Sequence, residues 1–337
     1  RHPDEGAEHP LDGLDEVEGR LGEGGERAAG DREGRGERMG PDRPDRDEAE
    51  PAMGGPEAVR SEDLVEPGGA RDEEDADERD RERAGGRVRG PLHGIPVALK
   101  DNIHTNDLRT TGGAIAFENL IPPYDATLTK NLRDAGAVII AKTTLTELAN
   151  WVAGSPTPMP GNYNAVNGFA MNPYDPRPDP RPGFNDGRPV MQTGGSSSGG
   201  GTAMSFWAAN VGTETAGSIL SPSNANMLAG IKPTVGRVSR HGVIPITADQ
   251  DTPGPMARTV EDAAIFLGAL EGKTPAPDDA DTKKCTPPAN NDYRPFLKKD
   301  ALKGARIGVP RAFYFEPYLV PGTNAPRGGL NPAQKAA

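Results

Sequence analysis

Cysteine is nearly absent from this 337-residue chain: Cys285 is the only one, so no disulfide can form within it. No apolar run reaches the length of a membrane-crossing helix, and Arg1 is not followed by a charged-then-apolar leader. Both absences lead to the expectation of a cytoplasmic protein with no membrane partner. The five histidines, His2, His9, His93, His104 and His241, form no metal-spaced cluster, so neither a metal nor a cofactor is expected. No internal repeat is present.

The leading segment is defined by what it lacks. Residues 1–89 contain no Phe, Trp, Tyr, Ile, Lys, Asn, Gln, Thr or Cys, and a single serine, Ser61. They hold 29 Asp and Glu against 15 Arg, and so carry all the net negative charge of a chain whose total is −12. Such a composition buries too little apolar surface to offset an ordering entropy of about 1–2 kcal/mol per residue. Residues 1–86 are therefore read as low-complexity and disordered, a solvated extension in preference to an acidic interaction tail. The near-neutral remainder offers no basic patch for nucleic acid.

What is there begins at about residue 87. Ile95–Leu99 is a short apolar run, read as a buried strand with Lys100 and Asp101 at its C-terminal end. Residues 125–135 predict a helix capped by Asp125, with Leu128 and Leu132 four apart. Val138–Ala141 predicts a second strand and Thr144–Val152 another helix. Residues 155–194, rich in Pro, Asn, Gly and Asp, predict a long irregular excursion. Gly201–Ala209 reads as a small-residue helix, and Val243–Ile246 as a strand end. Thr259–Leu270 reads as a helix capped by Thr259, residues 271–300 as a linker, and Ala305–Val309 as a further strand. Alternating strands and helices indicate an α/β class with a mixed sheet. Trp151, Phe206 and Trp207 are assigned to the core, Met159 and Phe184 to a substrate pocket. Asp249 and Asp251 are assigned to shaping the turn before Pro253 and Pro255.

Two glycine-rich serine turns stand out. The first is Gly194-Gly195-Ser196-Ser197-Ser198-Gly199-Gly200; the second is Gly212-Thr213-Glu214-Thr215-Ala216-Gly217-Ser218. Glycines beside a serine let backbone N–H donors approach a reacting group. With Lys100 they supply the parts for nucleophilic catalysis without histidine. A phosphate-binding loop is the competing reading, but the required Gly-Lys-Ser/Thr ending is missing. Asp101 and Asn102 are candidates for orienting Lys100.

These segments, in this order and followed by Gly230-Ile231-Lys232-Pro233-Thr234-Val235-Gly236-Arg237, resemble the amidase signature family over about residues 87–315. Leu220, where many members carry arginine, makes the resemblance nearest to the peptide-amidase-like branch. The resemblance implies a mixed β-sheet flanked by helices, residues 87–337 forming part of an amidase domain. It also implies a Ser–cis-Ser–Lys triad. Lys100 would be the base, Ser196 the bridging serine after a cis peptide, and Ser218 the nucleophile. The backbone N–H groups of Thr215, Ala216, Gly217 and Ser218 would form the oxyanion hole. Ala216 stands where Gly or Asp is common, so its methyl has to point away from the acyl group. The 22-residue spacing from Ser196 to Ser218 is two shorter than in many members, a gap assigned to the intervening helix. The implied activity is hydrolysis of a small carboxamide or peptide-terminal amide through an acyl-enzyme. The alternatives are the amidase subunit of a tRNA-dependent amidotransferase, and an inactive fragment, since members extend well past Ala337.

Overall fold

The computed structural model describes residues 65–67, 70–150, 162–272, 275–312, 314–330, 332 and 335. The expectations for residues 1–64, and for Trp151 and Met159, lie outside the described residues.

Ten strands are present among the described residues. Six of them, β1 (Val65–Pro67), β2 (Pro96–Lys100), β3 (Val138–Thr143), β6 (Ala209–Glu214), β7 (Ala229–Gly230) and β8 (Thr252–Ala257), form one mixed sheet. Their order across it is β1-β3-β2-β6-β8-β7. β2 runs parallel to β3 and β6; the pairs β1–β3, β6–β8 and β8–β7 are antiparallel. A hairpin of β4 (Tyr163–Asn164) and β5 (Gly168–Phe169) gives the long excursion a little regular structure. Two more short strands, β9 (Tyr318–Leu319) and β10 (Pro326–Arg327), pair near the C-terminus.

Alternation along β2 sets up the site. Val97 and Leu99 face the main core with Ile139, Val211, Leu128, Leu132, Phe266 and Leu270. Ala98 faces the other side, against Ala141 and Trp207. Lys100, two residues on, shares the Ala98 face and is fully buried. The main core is roofed by helices α2 (Thr127–Asp134) and α5 (Val260–Glu271). Thr259 caps α5, its hydroxyl accepting the Asp262 N–H at 3.0 Å. Asp125 does not cap α2; it accepts the Asn106 N–H and pairs with Arg133 instead. Gly272 ends α5 at φ 71°, and a Cβ there would sit 2.6 Å from the Asn131 side chain.

Several elements depart from the sequence reading. Helix α1 (Ala70–Ala84) lies inside the segment read as disordered. It carries acids in its first turn and arginines in its last, which suits the helix dipole. Charge rather than apolar area ties it down: Asp75 pairs with Arg133 at 2.8 Å, Glu82 with Arg89 at 2.7 Å, and Arg83 donates to the His93 carbonyl at 2.7 Å. The helix expected over Thr144–Val152 is a single 3-10 turn at Glu147–Asn150, because Leu148 and Ala149 take positive φ, with Leu148 N–H bonded to Gly112 O. The small-residue helix shrinks to α3 (Gly200–Ala203), the chain re-enters the sheet as β6, and a short helix α4 (Leu220–Ala225) follows the second serine turn. Residues 305–309 form no strand and are exposed. Phe206 is 51% exposed rather than in the core, while Trp207 is buried.

β8 carries two prolines, Pro253 and Pro255. The Pro255 carbonyl accepts the Ile231 N–H, so both missing donors lie on the β7 side, away from β6. That places them at the side of the sheet where the neighbouring strand is only two residues long.

Candidate active site

β2 delivers Lys100 from the sheet, and the first serine turn meets it. The Lys100 amine donates to Ser196 Oγ at 2.9 Å, Thr213 Oγ1 at 2.9 Å and the Thr213 carbonyl at 3.2 Å. All three partners are neutral. Burial pushes the Lys100 pKa down to about 7, against the opposing pull of Asp251 and Glu214.

The serine turn is held by its own neighbours. The Gly195–Ser196 peptide bond is cis. Gly194 takes φ 69°, and a Cβ there would lie 2.6 Å from the Ser221 carbonyl, so a side chain has no room. Ser197 bridges the two turns: its hydroxyl exchanges bonds with Thr213 O and N at 3.2 Å, and its N–H donates to Ser218 O at 3.1 Å. Thr146 N–H donates to Ser196 O.

Glu214 shapes the second turn. Its carboxylate accepts the N–H groups of Gly217 at 2.8 Å, Ile219 at 2.7 Å and Leu220 at 2.9 Å. The Gly217 N–H is thereby engaged, so the oxyanion set expected from the sequence loses that donor. The N–H groups of Thr215, Ala216 and Ser218 have no acceptor among the described residues. Ala216 is exposed, and Ser218 is buried on the wall of a cavity of about 240 Å³. Thr213, Thr215, Asn102, His241 and Asp251 also line it; Lys100 and Ser196 lie behind the wall.

The structure thus bonds Lys100 to Ser196 and the Ser197 N–H to the Ser218 carbonyl; among the described residues no hydrogen bond joins the Ser196 and Ser218 hydroxyls. The sequence matches the amidase family over residues 69–321. The chain belongs to that family. It is 40% identical to a putative amidase of Arthroderma benhamiae over 241 residues, covering 70% of this chain and 37% of that protein. It is also 40% identical to a glutamyl-tRNA(Gln) amidotransferase subunit of Thermosynechococcus vestitus, covering 69% and 43%. Among solved structures, the peptide amidase of Stenotrophomonas maltophilia superposes with a TM-score of 0.61 at 40% identity, covering 72% of this chain and 46% of that one. The chain spans less than half the length of these relatives.

Other assignments moved. Asp101 does not touch the Lys100 amine. It is buried, accepts from Thr111 and lies 3.4 Å from Lys142 Nζ; burial raises its pKa while Lys142 opposes the rise. Asn102 acts on Lys100 only through Thr213, donating to Thr213 Oγ1 at 3.0 Å. Asp251 does brace the turn before Pro253, accepting from Ile246 and Thr247, and also holds the Thr215 hydroxyl at 2.5 Å. Phe184 is not on the cavity wall; the Arg181 and Arg188 guanidiniums lie over its ring, 4.7 and 4.9 Å from the centroid. Thr213 and Glu214 were missed as site residues, although both sit within the second glycine-serine motif. Among the described residues no His, Cys, Asp or Glu cluster could hold a metal ion, and no helix is long and apolar enough to cross a membrane.

Proposed function

We propose that this chain carries the reacting groups of an amide hydrolase that cleaves a carboxamide C–N bond through an acyl-enzyme on Ser218. One observation carries the reading: a fully buried lysine whose amine lies 2.9 Å from Ser196 Oγ, behind the wall on which Ser218 stands.

With a pKa of about 7, Lys100 is substantially neutral at neutral pH. The neutral amine takes the Ser196 proton as Ser196 takes that of Ser218. Ser218 Oγ bonds to the carbonyl carbon, and the oxygen gains negative charge. The N–H groups of Thr215, Ala216 and Ser218 stabilise that charge, each donor contributing about 2.7–4 kcal/mol in comparable hydrolases. The relay returns the proton to the nitrogen, the C–N bond breaks, and ammonia or an amine leaves. Water, deprotonated by the same relay, then releases the acid. The substrate class is a small carboxamide or a peptide-terminal amide; the likeness to a peptide amidase supports the latter.

A fluorophosphonate probe tests the reading. Ser218 displaces fluoride from phosphorus, leaving a stable adduct. Labelling of the chain and none of Ser218→Ala is the expected result; equal labelling of both overturns it. The alternative, a component of a tRNA-dependent amidotransferase, predicts ammonia release from glutamine only with charged tRNA and a partner protein.

A further inference from the structure

Asn102 has one end of its side chain fixed and the other unsatisfied. It is 2% exposed and lines the same cavity as Ser218 and Thr213. Its backbone is pinned, the carbonyl accepting the Ile244 N–H at 2.8 Å. Its Nδ2 donates to Thr213 Oγ1 at 3.0 Å, and that hydroxyl oxygen also receives the Lys100 amine at 2.9 Å. With Nδ2 committed, the orientation of the carboxamide is set. Its Oδ1 is buried and has no partner among the described residues.

An unsatisfied buried acceptor is uncommon in a folded protein and calls for a physical reason. Such an oxygen can be satisfied only by an N–H or O–H donor. Oδ1 is closed to solvent, so the remaining source of a donor is a substrate bound in the cavity that Asn102 lines. A carboxamide brings an N–H on the nitrogen of the bond to be cleaved. An ester of the same acyl group brings no donor there and leaves Oδ1 unpaired, so it lacks the hydrogen bond that the amide gains. A site built around a buried hydrogen-bonding group discriminates strongly against the analogue that lacks the partner.

We propose that Asn102 contacts the substrate directly: its Oδ1 accepts the N–H of the scissile amide, making it a selectivity residue for carboxamides over the matching esters. The proposal rests on the amide-hydrolase reading and deepens it. Thr213 Oγ1, bonded to both side chains, sets the Asn102 amide beside the Lys100 amine. The acceptor for the leaving nitrogen's hydrogen and the base that returns its proton are therefore anchored to one atom.

The test is protection of the 337-residue chain from fluorophosphonate labelling by N-acetyl-phenylalanine amide and by N-acetyl-phenylalanine methyl ester. In the unaltered chain the amide is expected to protect at about tenfold lower concentration than the ester. In Asn102→Leu the two are expected to protect at similar concentrations, the amide having lost the advantage. Asn102→Asp keeps an acceptor oxygen and is expected to retain the amide preference, although its charge raises the pH at which labelling begins. Equal protection by amide and ester in the unaltered chain overturns the proposal without any variant. So does an unchanged preference in Asn102→Leu. Weaker protection by amide and ester alike in Asn102→Leu, with no change in their ratio, assigns Asn102 to positioning Thr213 only and also overturns it. Labelling that persists in Ser218→Ala fails the hydrolase reading itself, a result separate from any amide-to-ester ratio.

Discussion

Two lysines are buried on neighbouring strands, and their surroundings differ in one respect. Lys100 on β2 and Lys142 on β3 lie on opposite faces of the sheet, since Lys142 is registered with Leu99 and Lys100 with Thr143. Lys142 sits among the carbonyls of Ile103 and Arg109, the Thr110 hydroxyl and the Asp101 carboxylate. Lys100 has only hydroxyls and one carbonyl in hydrogen-bonding range. A buried amine beside a carboxylate is an ion pair and supports the fold. A buried amine among neutral oxygens is held near neutrality, where it can take a proton. Burial alone does not make a base; the absence of an adjacent counter-charge does.

The comparison breaks if the two lysines prove interchangeable. Lys100→Met is expected to lower the fluorophosphonate labelling rate by about 10²–10⁴-fold, the usual contribution of a general base. The same variant is expected to melt no lower than the unaltered chain. The charged form of Lys100 is disfavoured in the folded state, so its penalty is full below about pH 7 and fades as pH rises toward the unfolded value of 10.5. The melting-temperature gain of Lys100→Met is therefore largest below pH 7. Lys142→Met is expected to do the reverse, costing about 3–5 kcal/mol by stranding the Asp101 carboxylate, as read by denaturant unfolding. Labelling by whatever fraction stays folded is retained.

Smaller effects sharpen the contrast. In the unaltered chain the labelling rate is expected to fall about tenfold per pH unit well below pH 7 and to level off above it, following the neutral Lys100 amine. A profile flat through neutrality contradicts that base. Thr259→Ala removes the α5 cap, far along the chain from both lysines; it is expected to cost about 1 kcal/mol in stability and leave the labelling rate of folded protein unchanged.

The residues proposed to react were legible because each sits in a local pattern. Lys100 ends an apolar run, and Ser196 and Ser218 lie in glycine-flanked turns that carry their own signal. The elements between them were not. β6 (Ala209–Glu214) is made of Ala, Asn, Val, Gly, Thr and Glu, and becomes a strand because β2 and β8 pair on either side of it. β8 was hidden by its prolines, which read as breakers until their neighbours are known. The Asp101–Lys142 pair depends on strand register, and no spacing within the sequence displays it. Helix α1 was missed because it has little apolar area to bury, whereas Arg133 and Arg89 hold it by charge and its own Arg83 bonds the His93 carbonyl.

The prolines of β8 have a consequence for how that side of the sheet can be buried. Thr252–Ala257 is buried throughout, although β7 is registered only with Met256 and Ala257. Any other residue at 253 would bring an amide hydrogen to a buried position with no β7 residue registered opposite it. Exchanging that proline for a better strand former such as valine would therefore weaken the protein, because the ring that is unsuitable for most strands is what lets this one end without an orphaned donor.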